Sequence, residues 1–135
     1  MREITRHKTD KLNREHIAIF AEQPEEKDKA PAKYHVRLKG LDGQYADFAK
    51  IVFQSKPLQE VVPGGVLDHP ASGLTIEVLI AVCIDRLQAF QSAPLQCRQN
   101  AIAITKLEEA LLWLGDRSRE RTERGVEGTY KVVGV

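Results

Sequence analysis

Only two cysteines, Cys83 and Cys97, occur in 135 residues. That is too few for a disulfide framework and predicts reduced thiols. No apolar run reaches the roughly 20 residues of a membrane-spanning helix. The opening MREITRHKTDKLNREH also lacks the hydrophobic core of a signal peptide. Both absences predict a soluble, cytoplasmic protein. An excess of charge of one sign is lacking too: the formal net charge is +1. A surface that traps polyanions as a whole is therefore excluded, and any nucleic-acid role is confined to a local patch. At 15.2 kDa and 42% hydrophobic residues, the chain can bury one modest core, which excludes a large multi-domain enzyme.

Catalytic signals are equally scarce. His7, His16, His35 and His69 show no metal-ligand spacing with one another or with the cysteines, and read as scattered surface histidines. GLDG and PGG are turns, because neither opens a helix after a strand and neither carries the lysine of a phosphate-binding loop. Cys83 falls on an apolar seam and reads as an inert core thiol. Asp85, Glu108 and Glu109 are ordinary helix carboxylates. No reaction centre, metal site or cofactor is expected.

What the chain does have is two halves of different periodicity. HIAIFAE (His16 to Glu22), KYHVRLKG (Lys33 to Gly40) and ADFAKIVFQS (Ala46 to Ser55) are rich in β-formers and predict three strands. The Asp-Gly pair in LDGQ (Leu41 to Gln44) predicts an antiparallel hairpin between the second and third. A charged, proline-bearing loop, Gln23 to Ala32, separates the first two. After a connector rich in proline and glycine (Lys56 to Gly73) the period becomes helical. Leu74 to Gln91 carries the seam Ile76, Ile80, Cys83, Leu87 and Phe90. A second helix, from about Arg98 to about Glu123, carries Ala103, Leu107, Ala110 and Leu114, with Ile104 and Leu111 beside them. The short SAPLQ break makes these an antiparallel helical hairpin. The expected fold class is α+β, with a small antiparallel sheet in residues 1–72 and the hairpin in residues 73–135. The first half of the first helix is apolar nearly all round. It needs cover on more than one side, from the β half or from another copy of the chain.

Continued at its own spacing, the second seam runs into Arg117, Arg121 and Arg124. Three guanidinium groups then occupy a register that had been core. Two plain accounts apply. Asp116 with Arg119 and Glu120 with Arg124 form exposed helix pairs, and Gly125 suits a helix C-cap, where the dipole favours cations. Against these, Arg117 and Arg121 are like charges one turn apart, an arrangement that an anion compensates. Arginine forks suit phosphate oxygens. Gly125 and Gly128 in RGVEGT let backbone amides approach such a group, and Thr129 offers a hydroxyl.

Gly73 to Leu114, including ITKLEEALLWL, followed by the arginine run and RGVEGTYKV, resembles the helical hairpin of small bacteriophage proteins of the anti-CBASS and Thoeris anti-defence sponge group. VFQSKPLQEVVPGGV (Val52 to Val66) is similar to the segment that precedes that hairpin. The resemblance covers about half of the chain, from Val52 onward, and touches the β half only in TDKLN (Thr9 to Asn13). It implies a non-enzymatic protein acting in the bacterial host's cytoplasm. Such a protein holds cyclic di- or trinucleotides, or cyclic ADP-ribose isomers, without cleaving them. It assembles as a dimer or hexamer through its hairpins and binds no long nucleic acid. Carried over residue by residue, it places Arg98, Asn100 and Thr105 near ligand phosphate at the start of the second helix, and Gly128 and Lys131 after its end. For the first three, capping, solvation or back-bonding to the helix is the plain alternative. Only Tyr130 and Phe90 offer rings for base stacking, and Trp113 is assigned to packing. A protein-interaction module whose arginine end docks an acidic partner or nucleic acid is the competing function.

Overall fold

The computed structural model describes residues 1–24, 26, 29–55, 72–92 and 94–123, with side chains as far as residue 120. The chain divides into two units, Met1–Ser55 and Lys56–Val135.

The first unit contains β1 (Arg2–Ile4), α1 (Lys11–His16), β2 (Ile17–Ala21), β3 (Lys33–Lys39) and β4 (Tyr45–Val52). They form one antiparallel sheet in the order β1-β2-β3-β4. The three expected strands are β2, β3 and β4. The expected count is corrected by β1, and His16 ends α1 rather than opening a strand. A three-residue strand and a six-residue helix are too short for periodicity to register. The helix is set by its cap: the Asp10 carboxylate accepts from the Asn13 amide at 2.9 Å. Alternation then sorts the sheet. Ile4, Ile19 and Val36 share one face through the pairs Ile4↔Ile19 and Ile19↔Val36, whereas Phe20, His35 and Lys50 share the other.

The LDGQ turn joins β3 to β4 as expected. The Gly40 amide donates to the Gln44 carbonyl at 2.8 Å, the Gln44 amide donates to Asp42 Oδ1 at 3.0 Å, and Gly43 has φ +81°. That conformation costs an L side chain about 1–2 kcal/mol. Gly43→Ala is therefore expected to lower stability by about that amount in urea denaturation, with the fold retained.

The second unit contains α2 (Ile76–Gln91) and α3 (Arg98–Glu123), which pack together as the expected hairpin. Thr75 caps α2, its Oγ1 accepting from the Val78 amide at 3.2 Å. Gln91 closes the turn by pairing with both main-chain groups of Cys97, at 2.9 and 3.0 Å. The expected α3 seam holds: Ala103, Ile104, Leu107, Ala110, Leu111 and Leu114 are all half-buried.

The α2 seam holds at Ile80, Leu87 and Phe90 and departs from its expected course at Ile76 and Cys83. Ile80, Ile84 and Leu87 are half-buried, while Ile76 is 49% exposed and Cys83 is exposed. Cys83 is thus no core thiol. An apolar surface on nearly all sides leaves the helix's rotation undetermined by pattern. Glu77, which reaches Arg117 of α3, lies on the shielded side instead. Trp113, assigned to packing, is 74% exposed, as is Leu112.

Candidate ligand-binding site

The candidate residues fall at opposite ends of α3. At the turn end, Arg98 is exposed and Asn100 is half-buried. Thr105 Oγ1 donates to the Ala101 carbonyl at 3.2 Å, so the back-bonding alternative describes its present state. Donation to a phosphate requires that bond to open. Phe90 stands at the same end with the Arg86 guanidinium 5.0 Å from its ring centroid. The ring is thus paired with a cation that sequence spacing had not connected to it.

At the open end, Arg117 projects with about half its side chain exposed, and its guanidinium lies 4.0 Å from the Glu77 carboxylate. Such a pair contributes at most about 1 kcal/mol, so Arg117 remains available to a better anion. Asp116 and Arg119 form the expected helix pair. Arg121 continues α3 in its backbone, but its side chain lies outside the described residues. Arg124, Gly125, Gly128, Thr129, Tyr130 and Lys131 lie outside them altogether.

Asn100 and Arg117 are 17 residues apart on one helix, about 25 Å along its axis. One hairpin cannot close both groups on a compact ligand. Two hairpins lying antiparallel bring the turn end of one beside the open end of the other. Apolar side chains are exposed at both ends, Leu95 and Ile102 at the turn end and a larger group at the open end. Because Glu77 meets Arg117, the start of α2 lies beside the last turns of α3. Ile76, Val78 and Val82, 45–59% exposed, are therefore near the level of Leu112 and Trp113.

A polar cluster in the sheet went unnoticed in the sequence, because it depends on strand register. His35 Nε2 lies 2.7 Å from Glu22 Oε2; a carboxylate only accepts, so the imidazole donates. Lys50 Nζ approaches the same oxygen at 3.7 Å. The His35 hydrogen bond, and then the charges of Lys50, His35 and Lys33, hold the Glu22 carboxyl below the usual glutamate range against desolvation. A group depressed in the folded state stabilises above its unfolded pKa, about 4.3, and loses that contribution as pH falls through the folded value. Glu22→Gln is expected to flatten that part of the acid limb in urea denaturation from pH 7 to pH 3. An unchanged limb would exclude the pairing as its source.

Among the described residues no helix is long and apolar enough to cross a membrane, and no group of three or more His, Cys, Asp or Glu could hold a metal.

The fold and its paired helices define a hairpin protein with an arginine-bearing end. Residues 46–117 match the Acb2/Tad1 hairpin domain, and the chain belongs to that family. It is the phage anti-CBASS and Thoeris anti-defence group that the hairpin sequence resembles. A stretch of 68 residues is 57% identical to Thoeris anti-defense 1 of Bacillus phage SBSphiJ7, covering 50% of this chain and 48% of that protein. The chain thus spans about half the length of the curated relative it matches.

Proposed function

We propose that this protein is a phage anti-defence sponge: it binds a cyclic nucleotide immune signal, cyclic di- or trinucleotide or cyclic ADP-ribose isomer, and sequesters it without cleavage. The observation that carries the reading is Arg117. It continues the packing register of α3, yet it stands exposed against only a weak internal counter-ion, in a hairpin of a family whose relative is a Thoeris anti-defence protein. Arginine's planar fork and permanent charge match phosphate oxygens. The site is composite: the turn end of one hairpin, with Arg98, Asn100 and Thr105, meets the arginine end of another. A cyclic ligand with several phosphates suits such symmetric encirclement. Sequestration is stoichiometric and needs no catalytic group.

Calorimetry against a panel of cyclic di- and trinucleotides and cyclic ADP-ribose isomers is expected to show tight binding to at least one. Mass spectrometry after heating should return that ligand intact. No binding across the panel refutes the sponge, and recovery of a cleaved product replaces it with a hydrolase.

A further inference from the structure

The sheet of the first unit carries a cationic strip that the sponge function leaves unused. Strand alternation places Lys33, His35, Arg37 and Lys39 on one face of β3. Register sets Lys50 opposite His35 and Tyr45 opposite Lys39. Two carboxylates lie among them: Glu22, held by His35 and Lys50, and Asp47, which accepts from Arg37 Nε at 3.0 Å. Glu3, opposite Phe20 on the same face, is paired with Lys8. Along the β3–β4 row four permanent cations face Glu22 and Asp47, and Lys33 and Lys39 are exposed at its two ends.

A cationic row alone describes many solvated strands; the aromatic groups set this one apart. The Arg37 guanidinium lies flat enough on the sheet to stand 4.8 Å from the Phe20 ring centroid. Opposite Val36 and Arg37 the register shifts: Ala49 pairs with Val36 and Asp47 with Arg37, so Phe48 is the extra residue of a bulge. Phe48 is 69% exposed and Tyr45 45%. Every residue from Tyr45 to Lys50 is exposed, and among the described residues β4 is an edge strand of the sheet.

We propose that this face binds single-stranded nucleic acid. Residues on one face of a strand recur about every 6.8 Å, a step that the phosphates of an unstacked chain can follow. Tyr45 on this face, its hydroxyl donating to the Glu15 carbonyl, and Phe48 in the adjoining bulge are exposed rings of the kind that sequence-tolerant single-strand binders use for stacking. A duplex hides its base faces and an acidic peptide has none, so neither would engage Phe48. The near-neutral chain confines such a role to a local patch, and here the cations are gathered on one strand face. The site is in a different unit from the hairpin residues and stands or falls independently of the sponge reading.

The test is fluorescence anisotropy of the full chain with a labelled 12-nucleotide oligouridylate from 50 to 200 mM salt. Binding is expected to weaken with salt at about 0.7 per phosphate contact on a log–log plot. Lys33→Ala with Lys39→Ala, at exposed positions that leave the sheet intact by circular dichroism, should remove two contacts. At 50 mM salt this weakens binding about sixtyfold, or about eightfold per contact. Phe48→Ala should weaken binding about fivefold or more at an unchanged salt slope, and Lys106→Ala in the hairpin should do nothing. The proposal is overturned by absence of binding at 50 mM salt, or by full affinity in the double lysine variant. Loss with Lys106→Ala equal to the loss with the strand lysines overturns it too. Equal affinity for a duplex or for polyglutamate, with Phe48→Ala silent, replaces single-strand recognition by simple charge attraction.

Discussion

Arg117→Ala is expected to weaken binding of the cyclic nucleotide by about tenfold to more than a hundredfold while leaving the protein folded. A hydrogen bond to a charged group contributes about 1.5–3 kcal/mol, and about 1.4 kcal/mol is a factor of ten. Loss of fold cannot mimic this result. The Glu77 partner is an exposed pair at 4.0 Å, worth at most about 1 kcal/mol. Removing Arg117 also relieves its repulsion with Arg121 one turn on. Helicity by circular dichroism should therefore match the parent while calorimetry shows the loss. Arg117→Lys separates charge from shape: it keeps the cation and loses the bidentate fork, so affinity should recover only partly. Full affinity in Arg117→Ala would remove the open end of α3 from the site.

On the proposed assembly, Trp113→Asp should yield a monomer and abolish ligand binding together, although it removes no proposed ligand contact. Trp113 is 74% exposed beside Leu112, also 74% exposed, and the shared end of the hairpin adds Ile76, Val78 and Val82. A buried aromatic anchor contributes about 2 kcal/mol or more to an interface. In a twofold interface each substitution acts twice, which weakens dimerisation by about a thousandfold. Light scattering coupled to gel filtration reads the mass and calorimetry the binding. A monomer that still binds ligand fully would show that one hairpin suffices, against the separation of about 25 Å between Asn100 and Arg117.

The hairpin was legible in the sequence because α3 carries a regular apolar seam, Ala103, Leu107, Ala110 and Leu114, over about three turns. The rotation of α2 was not, because apolar residues surround it and several seams fit equally well. Cys83 was assigned to the core for that reason; Ile84 is shielded in its place, alongside the expected Ile80, Leu87 and Phe90. The β3–β4 hairpin was announced by Asp-Gly, whereas β1 exists only through its pairing with β2. Of the site, the arginine register could be read as spacing. The Thr105 bond to Ala101, the Arg86 stack on Phe90 and the Glu22–His35 pair could not, because each depends on rotamer or register.

The shortage of buried side chains has a consequence in mass action. Among the described residues only Ala18 and Ala21 are fully buried, at 6% and 1% exposure, and α2 has no buried residue. If copies associate through the hairpin as proposed, part of the stability comes from association, and the unfolding equilibrium includes the protein concentration. The thermal midpoint should rise as the protein is concentrated, and Trp113→Asp should make it nearly independent of concentration, at the value of the dilute parent. The same equilibrium links function to supply. On the proposed composite site, stability and capacity to hold ligand are expected to rise together as copies assemble, and to fall together on dilution.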